Sequence, residues 1–435
     1  MVHDDGPVGL DGVKVAFDDE RVVSDAGIVL AATLAARLGI GDLAQRFVRL
    51  RPKLPGASNA GRKVISLVFA MALGADSIDD CDVLRAGRTR RLLGGWIAAP
   101  STLGTFLRAF TFGHVRQLDR VLAETLTRAW KAGASPGHGR LVIDVDSFVG
   151  EVHGYDKQGA AFGYTRKRGY HPILASRADS GEVLHVRLRK GSANTQRGIL
   201  RFTDELIARV GRAGATGVKL LRADSGFWNT KVFARLEQAG WQYSIGVRMI
   251  KSVRDAVEAI DEDAWTKIAD YPDTGEAQIA ETTHGGRRLI VRRTRLVGPQ
   301  AELFPDWRHF AFITNRSEDI AVVEAEHRQH AVVELVIRDL KDQALAHFPS
   351  GHFHANSAWT VIAALAHNLL RWTELIGLPG RTIKAARTIR RRLLALPGRL
   401  TSHAGRWMLH LPARWPWQTD FGEALTRIRA LPAAA

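Results

Sequence analysis

Four acidic residues in this chain have the side-chain type and the placement for metal-dependent chemistry on phosphate. Asp144 and Asp146 lie near the end of an apolar run of strand-forming residues, and Asp224 directly follows a second such run. Glu334 comes from a later segment with helical periodicity. Carboxylates from strand ends and a packed helix can hold two Mg²⁺ ions about 3.5–4 Å apart, one activating the attacking oxygen and the other stabilising the leaving oxygen of a phosphodiester. Because the ligands are hard oxygen donors, Mg²⁺ or Mn²⁺ is expected rather than zinc.

The first ligand has two candidates. Side chains alternate between the two faces of a strand, so Asp144 and Asp146 are expected on the same face. Gly226, two positions after Asp224, permits the chain to turn sharply out of the sheet. A single aspartate before a turn usually serves as a cap, so the prediction depends on the acids occurring together.

The segment around Glu334 is predicted to be a helix because apolar residues recur at every third or fourth position. These residues are Val332, Val333, Val336, Ile337 and Leu340. Residues three and four apart are neighbours on a helix, so Glu334, Arg338 and Lys341 are expected together on its polar side. A carboxylate followed by cations suits a metal ion beside a nucleic-acid phosphate.

The charge balance favours a polyanionic partner. The 435 residues contain 61 lysines and arginines against 45 aspartates and glutamates, a net charge of +16. This excess favours nucleic acid over an anionic membrane, the alternative being a host whose proteins are generally basic. The single cysteine, Cys81, excludes a disulfide framework and a cysteine-based zinc site. The acidic start and the charge-interrupted apolar stretches predict neither a signal peptide nor a membrane span, so a cytoplasmic protein is expected.

The predicted elements divide the chain into five segments. Residues 1–130 are expected to be helical and to form either a helix-turn-helix DNA-binding region or a helical cap with a solvated basic face. Residues 140–267 contain strands and then alternating strands and helices, which predicts an α/β fold with a mixed sheet flanked by helices. Residues 268–316 contain short strand-like runs and are expected to be a β-rich insertion. The α/β core then resumes over 317–375, and a basic C-terminal region spans 376–435.

Taken together, these residues resemble the DDE transposases of bacterial insertion sequences. The resemblance is carried by Asp146, Asp224 and Glu334 in that order, and by Lys341 at the spacing Glu-x6-Lys. Within this group the chain is most similar to the Tyr-Arg-Glu-Lys subgroup, and there to insertion-sequence family thirteen-eighty. Further matching motifs are Asp144-Val-Asp-Ser147, Gly169-Tyr-His-Pro172, Leu221-Arg-Ala-Asp-Ser-Gly-Phe227 and Ala366-His-Asn-Leu-Leu-Arg-Trp372.

The resemblance implies an RNase H-like catalytic core with a β-rich insertion before its last catalytic helix. It implies Asp146, Asp224 and Glu334 as the ligands of two Mg²⁺ ions and Lys341 as a contact to DNA phosphate near the cut. Asp146 is preferred over Asp144 because the family has a small or hydroxyl residue after this acid, as here. The implied activity is cleavage and strand transfer at the ends of the element in double-stranded DNA, by a homodimer associated with the bacterial nucleoid.

The chain departs from the subgroup pattern at three positions. His327 stands where the pattern has tyrosine, His330 where it has arginine, and Phe148 where threonine is usual. Neutral imidazole holds a phosphate more weakly than a guanidinium does. Because of these departures, it stays open whether the reaction passes through a DNA hairpin. They also leave two alternatives: a catalytically impaired DNA-binding protein, and a nuclease that cuts without joining.

Further residues are expected to contact DNA. Trp307 lies in the predicted insertion, where it is expected either to stack on a flipped base or to serve as a core tryptophan. A basic run in the C-terminal region is expected to contact the phosphate backbone, with a solvated face as the alternative. The residues of this run are Lys384, Arg387, Arg390 and Arg391.

Overall fold

The computed structural model describes residues 10–154, 156–163, 166–194, 196–269, 271, 275–297, 306–381 and 384–434. Within these ranges the helices are α1 (Ile28–Leu38), α2 (Ile40–Phe47), α3 (Ala60–Ala72), α4 (Thr89–Leu92), α5 (Pro100–Arg108), α6 (Phe112–Ala129), α7 (Ile199–Ala213), α8 (Thr230–Gln238), α9 (Lys251–Glu258), α10 (Ile320–Arg328), α11 (Val332–Lys341), α12 (Phe353–Gly377), α13 (Ala386–Ile389) and α14 (Gln418–Ala430). The strands are β1 (Val22–Val23), β2 (Leu141–Ser147), β3 (Gly150–Glu151), β4 (Ala161–Phe162), β5 (Arg168–Tyr170), β6 (Ile173–Arg177), β7 (Val183–Arg187), β8 (Lys219–Ala223), β9 (Gln242–Gly246), β10 (Thr266–Lys267), β11 (Gly275–His284), β12 (Arg287–Leu296), β13 (Arg308–Thr314), β14 (Gly398–His403) and β15 (Arg406–His410).

The N-terminal part is helical from α1 to α6, as the sequence predicts. Gly39 separates α1 from α2, and its φ of 66° ends one helix and lets the next begin at once. Glycine is favoured there because residues with a Cβ rarely adopt this conformation. Among the described residues, no single helix has the length and apolar composition to cross a bilayer, although the bent pair α1 and α2 meets that test jointly.

Nine strands form one mixed sheet in the order β10-β11-β12-β13-β9-β8-β2-β6-β7. In its centre β2, β8 and β9 are parallel, whereas β2, β6 and β7 form an antiparallel meander. The parallel strands need crossover connections, which α7 and α8 provide. The predicted mixed sheet with packed helices is therefore confirmed.

The strands of the predicted β-rich segment continue this sheet. β13 pairs antiparallel with β9, with Phe312 opposite Gly246 and Thr314 opposite Ser244. β11 and β12 are ten residues long, longer than the sequence suggests for β11. Because β13 runs against β9, its first residues extend past Gly246, beyond the carboxyl ends of the parallel strands.

The long helix α12 joins the N-terminal helices to the sheet. It is buried along nearly its whole length and packs against α3, α6 and β7. The buried amide of Asn368 accepts a hydrogen bond from the Val183 backbone N–H at 2.7 Å and donates one to the Val183 carbonyl at 2.8 Å. This pair of bonds satisfies the amide inside an apolar core and fixes the end of β7 to the helix.

The basic run of the C-terminal region, for which the sequence pattern over 381–394 favours one helix, contains a short helical stretch instead. In the described part of this range only α13 and a following helical turn, Arg390–Leu394, are present. The start of α13 is anchored by the buried carboxylate of Asp339, which accepts a hydrogen bond from the Ala386 backbone N–H at 3.0 Å and pairs with Arg371. These tertiary contacts decide the helix boundaries, and the sequence pattern alone does not contain them.

Candidate active site

Asp146 and Asp224 lie side by side because their strands are parallel neighbours. β2 and β8 are aligned with Val145 opposite Ala223, so the next residue on each strand is an aspartate. Binding sites of sheets with parallel strands lie outside the carboxyl ends of those strands. Both carboxylates are at that edge.

The turn after β8 positions Asp224. One oxygen of its carboxylate accepts a hydrogen bond from the Gly226 backbone N–H at 3.0 Å and so caps the short turn Ser225–Phe227. The turn lies close against β9, where a Cβ on Gly246 would stand 2.8 Å from the Ser225 nitrogen. The close approach therefore requires glycine at position 246.

Glu334 reaches the same edge from the first turn of α11. The apolar side of this helix is buried and packs against β2, and Glu334 itself is exposed. Glu334 and Asp224 both line a cavity of about 660 Å³. We call it the basic cavity because Arg248, Arg292 and Arg328 also line it.

The ionisation of Asp146 shows that the three acids interact. The pKa of Asp146 is raised from 3.8 to about 6, chiefly by burial, with further increases from the negative charges of Asp224 and Glu334. The Ser147 backbone N–H and nearby His330 act in the opposite direction. A buried carboxylate beside two further carboxylates forms a site whose negative charge a divalent cation would neutralise.

A compact cluster of possible metal ligands lies elsewhere in the described residues. The ligand atoms of Asp119, His185 and Glu205 all lie within 4.8 Å of one another, and Asp146, Asp224 and Glu334 do not form such a cluster. The pair of ions held by these three acids stays a prediction.

The Asp119, His185 and Glu205 cluster has the character of an ion-pair network. Arg209 donates to Asp119 at 2.6 Å, and Arg116 donates to Glu205 at 3.0 Å. These guanidinium groups hold the pKa of Asp119 well below its usual value and lower the pKa of Glu205 to about 2, against the effect of burial. Because arginines already occupy its oxygens, the cluster does not need a cation.

Asp144 is engaged in a buried ion pair. The register places Arg222 directly opposite it on β8, and the guanidinium donates to both carboxylate oxygens at 2.7 and 2.8 Å. Both side chains are almost completely buried. Arg222 also donates to the carbonyl oxygens of Glu326 and Gln329, which ties the end of α10 to the sheet. This geometry argues against Asp144 as a metal ligand, because neither of its oxygens is open.

The two histidines that depart from the subgroup pattern line the basic cavity together with Asp224 and Glu334. His327 stacks on Phe312 with ring centroids 4.1 Å apart, and its Nδ1 lies 2.7 Å from the Ser244 hydroxyl. Burial lowers the pKa of His327 to about 3, so its ring is neutral at physiological pH. His330 Nε2 donates to the Val145 carbonyl at 3.2 Å.

Arginines that the sequence did not single out supply the positive charge near the acids. Arg248, Arg292 and Arg328 all line the basic cavity. The buried carboxylate of Glu324 holds two of them, with 3.0 Å to Arg328 and 3.4 Å to Arg292. Burial raises the pKa of Glu324, and the two arginines oppose that rise. The spacing Glu324 to Arg328 was a visible helical pair, but nothing in the sequence indicated where it would face.

The predicted phosphate contacts on α11 are accessible. Lys341 is exposed, and its ammonium lies 4.9 Å from the centre of the Phe148 ring. The pKa of Lys341 is lowered by burial and then by Lys167, while Glu151 raises it. Arg338 is exposed on the same helix.

Trp307 lies at the start of β13 between two guanidinium groups. Arg293 and Arg295 stand 4.5 and 4.6 Å from its ring centre. Arg293 also pairs with Glu262 at 2.7 Å. The tryptophan is partly buried by these neighbours, so its base-stacking role stays a prediction.

The basic C-terminal run is split between surface and interior. Arg387 and Arg391 are exposed and Lys384 is partly exposed, so their contacts to DNA stay predictions. Arg390 is buried, and burial lowers its pKa. This burial, with the charges of Asp339 and Asp342 nearby, argues against a DNA contact from Arg390.

A mixed sheet with two carboxylates at its strand ends and a third supplied by a packed helix is an arrangement typical of metal-dependent chemistry on phosphate. The chain belongs to the DDE transposases: the family model described as Transposase DDE domain group 1 matches residues 6–433. Among solved structures, the chain is similar to a piggyBac transposase in a synaptic complex with hairpin DNA, with 12% sequence identity and a TM-score of 0.47 over 86% of this chain and 80% of that chain. A comparison with curated proteins found no match. The expected DDE transposase family is confirmed, and the narrower insertion-sequence family stays a prediction.

Proposed function

We propose that this protein is the transposase of a bacterial insertion sequence, and that it binds the ends of its element, cuts DNA there and joins the freed 3′-OH to a target phosphodiester. The observation that carries the proposal is the interaction of Asp146 with Asp224 and Glu334 at the sheet edge. These residues would hold two Mg²⁺ ions, or Mn²⁺ in their place. When bound, such ions supply activation of the attacking oxygen and stabilisation of the leaving oxygen.

The sheet topology supports an RNase H-like core. Its five strands would be β7, β6, β2, β8 and β9, in that spatial order. Along the chain, β2, β6 and β7 follow one another as antiparallel neighbours, and β8 and β9 run parallel to β2. β10–β13 would then be an insertion added to the edge of that core before the catalytic helix α11.

The chain's own cations would hold the DNA. The net charge of +16 supports attraction to phosphate, and Lys341 on α11 is placed to contact the strand near the cut. In the basic cavity, Arg292 and Arg328 would add charged phosphate contacts to the weaker ones expected of His327 and His330. Glu324 would keep both guanidinium groups pointed along one groove.

Further parts of the proposal follow from the insertion-sequence resemblance. Joining requires both ends of an element to be held together, so a homodimer on DNA is proposed. The N-terminal helices would contribute to end recognition, and the protein would work at the bacterial nucleoid.

The decisive experiment is strand transfer in vitro with Mg²⁺ and the terminal repeats that bracket the gene. Wild type should give joined product, and Asp224→Ala and Glu334→Ala should give none while still binding DNA. Asp255→Ala, an exposed acid on α9, is the matched control and should join like wild type. If wild type and all variants bind DNA equally and none cuts, the enzyme proposal is wrong.

A second candidate rests on the neutral, buried ring of His327. A site that lacks the tyrosine and arginine of the subgroup pattern is compatible with a DNA-binding protein that has lost strand transfer, or with a nuclease that cuts without joining. Cut but unjoined DNA in the same assay would support the nuclease. Binding without cutting would support the impaired DNA-binding protein.

A further inference from the structure

A second cavity opens beside Asp224, on the side away from the basic cavity. It has a volume of about 560 Å³ and lies against the small sheet formed by β3, β5 and β4. Asp224, Ser225 and Arg248 line both cavities. The Asp224 carboxylate therefore lies where the two cavities meet. A DNA strand that passes over it would occupy one cavity on one side of the cut and the other cavity on the other side.

Phe162 is the distinctive side chain of this second cavity. It is the last residue of β4 and lines the cavity, yet 67% of it is exposed. Isolated exposed aromatics are common on protein surfaces and need no explanation. This one differs because it forms the wall of a cavity that reaches a proposed metal ligand.

The segment of residues 191–194 forms another part of the cavity wall and packs against the small sheet. A Cβ on Gly191 would stand 2.0 Å from the Gly169 carbonyl oxygen and 2.6 Å from the Ala161 nitrogen, so the loop can lie there only with glycine. The Gly191 backbone N–H donates to the Gly159 carbonyl at 2.9 Å, and His171 Nδ1 lies 2.6 Å from the Ala193 carbonyl oxygen. A wall fixed in this way loses little entropy when a ligand binds.

The charge of the cavity fits a nucleotide. Arg248 and Lys167 line it, the latter also paired with Glu151 at 2.9 Å, and Ser192 and Asn194 add polar groups. Asp224 is the only carboxylate among its described lining residues. The volume lies within the range of about 300–1,000 Å³ that is usual for small-molecule sites. One nucleotide fits such a space, and a base pair within a duplex does not.

We propose that this cavity, the Phe162 slot, binds one unpaired nucleotide of the DNA strand that passes over Asp224. Its base stacks on the Phe162 ring, and its phosphate contacts Lys167 or Arg248. This subsite rests on the proposed function, since it places the strand relative to the proposed metal ligands. Stacking on an aromatic ring tolerates any base, so the slot positions the strand without selecting a sequence.

The test uses the full-length protein and a short oligo(dT) strand with one central 5-iodouracil, in Ca²⁺ to prevent turnover. Irradiation should cross-link the strand to Phe162, located by mass spectrometry. Phe162→Ala should remove this cross-link and weaken the affinity roughly 5- to 100-fold, the range expected for loss of one base–aromatic stack. Phe162→Trp should restore both, which separates stacking from a general disturbance of the loop. Val218→Ala, an exposed apolar side chain just before β8 and at the opposite end of that strand from Asp224, is the control and should bind like wild type.

The outcomes separate the slot from the proposed function. If Phe162→Ala binds like wild type and the cross-link maps to another residue, such as Phe310 in the basic cavity, the slot is overturned. Strand transfer by the wild-type protein would still stand in that case. If the wild-type protein fails to cut or join element ends, the proposed function fails whatever the cross-link shows.

Discussion

Replacing Asp146 by asparagine should stabilise the metal-free protein at neutral pH. The pKa of Asp146 is raised from 3.8 to about 6 in the folded state, and each unit corresponds to about 1.36 kcal/mol. The upper bound is therefore about 3 kcal/mol, and partial exposure of the carboxylate reduces the expected gain to about 1–2 kcal/mol. The folded state binds this proton more tightly than the unfolded state, so wild-type stability falls as pH rises from about 4 to about 6. Asparagine does not ionise, so Asp146→Asn should not show this loss of stability with rising pH.

The same substitution at Asp144 should have the opposite effect. Burial raises the pKa of Asp144 as well, against the effect of Arg222, but Asp144→Asn leaves the buried guanidinium of Arg222 without its counter-charge, and we expect that loss to outweigh the relief of burying a carboxylate. Breaking a buried ion pair by removing one partner costs about 3–5 kcal/mol. Since asparagine keeps one oxygen that can accept a hydrogen bond, we expect a loss of about 3 kcal/mol.

Both effects are measured by urea unfolding with EDTA between pH 4 and pH 7.5. Asp146→Asn should gain stability above pH 6 and match wild type at pH 4, and Asp144→Asn should be destabilised throughout the range above pH 5. Added Mn²⁺ should stabilise wild type and Asp144→Asn, but much less Asp146→Asn. A loss of stability for Asp146→Asn at pH 7, or wild-type stability for Asp144→Asn, would refute the assignment of roles to the two acids.

Three further predictions concern the metal, the cations and the core. Chelation of divalent ions should abolish DNA cutting while DNA binding persists, and added Mg²⁺ should restore the cutting. Cutting that does not need a metal would contradict the proposed metal site. Arg292→Ala and Arg328→Ala should each lower the slope of log binding constant against log salt concentration by the amount of about one phosphate contact. Arg254→Ala on α9 is the control and should leave that slope unchanged. Equal slopes for all three variants would show that DNA does not pass through the basic cavity. Trp372→Phe deletes the 2.6 Å hydrogen bond from the indole to the buried carboxylate of Glu182 and should cost about 1–3 kcal/mol of unfolding free energy. An unchanged urea midpoint would show that the remaining donors to this carboxylate suffice.

The parts of the site that the sequence predicts are those set by local pattern. Strand-forming runs place Asp146 and Asp224 at strand ends, and the apolar stripe on α11 fixes the face that carries Glu334. Parallel pairing of the two strands then brings the aspartates together without any special contact. Such features depend on residue type and period, which can be counted in a single sequence.

The parts that it does not predict depend on partners distant in the chain. Because side chains alternate along a strand, the sequence makes Asp144 and Asp146 equally good candidates for the first metal ligand. Only the strand register, which places Arg222 opposite Asp144, distinguishes them. The arginines of the basic cavity come from β12, α10 and the segment after β9, so no local pattern joins them. Burial of Arg390 likewise follows from tertiary packing, not from its basic neighbours.

The most direct test of the central claim is to replace the bound divalent ion by Fe²⁺ and locate where hydroxyl radicals formed at the iron cleave the polypeptide. The account predicts cuts in the backbone near Asp146, Asp224 and Glu334, all lost in Asp224→Ala. Cuts near Asp119, His185 and Glu205 instead would place the metal in the cluster that we interpret as an ion-pair network. That result would contradict the strand-end site.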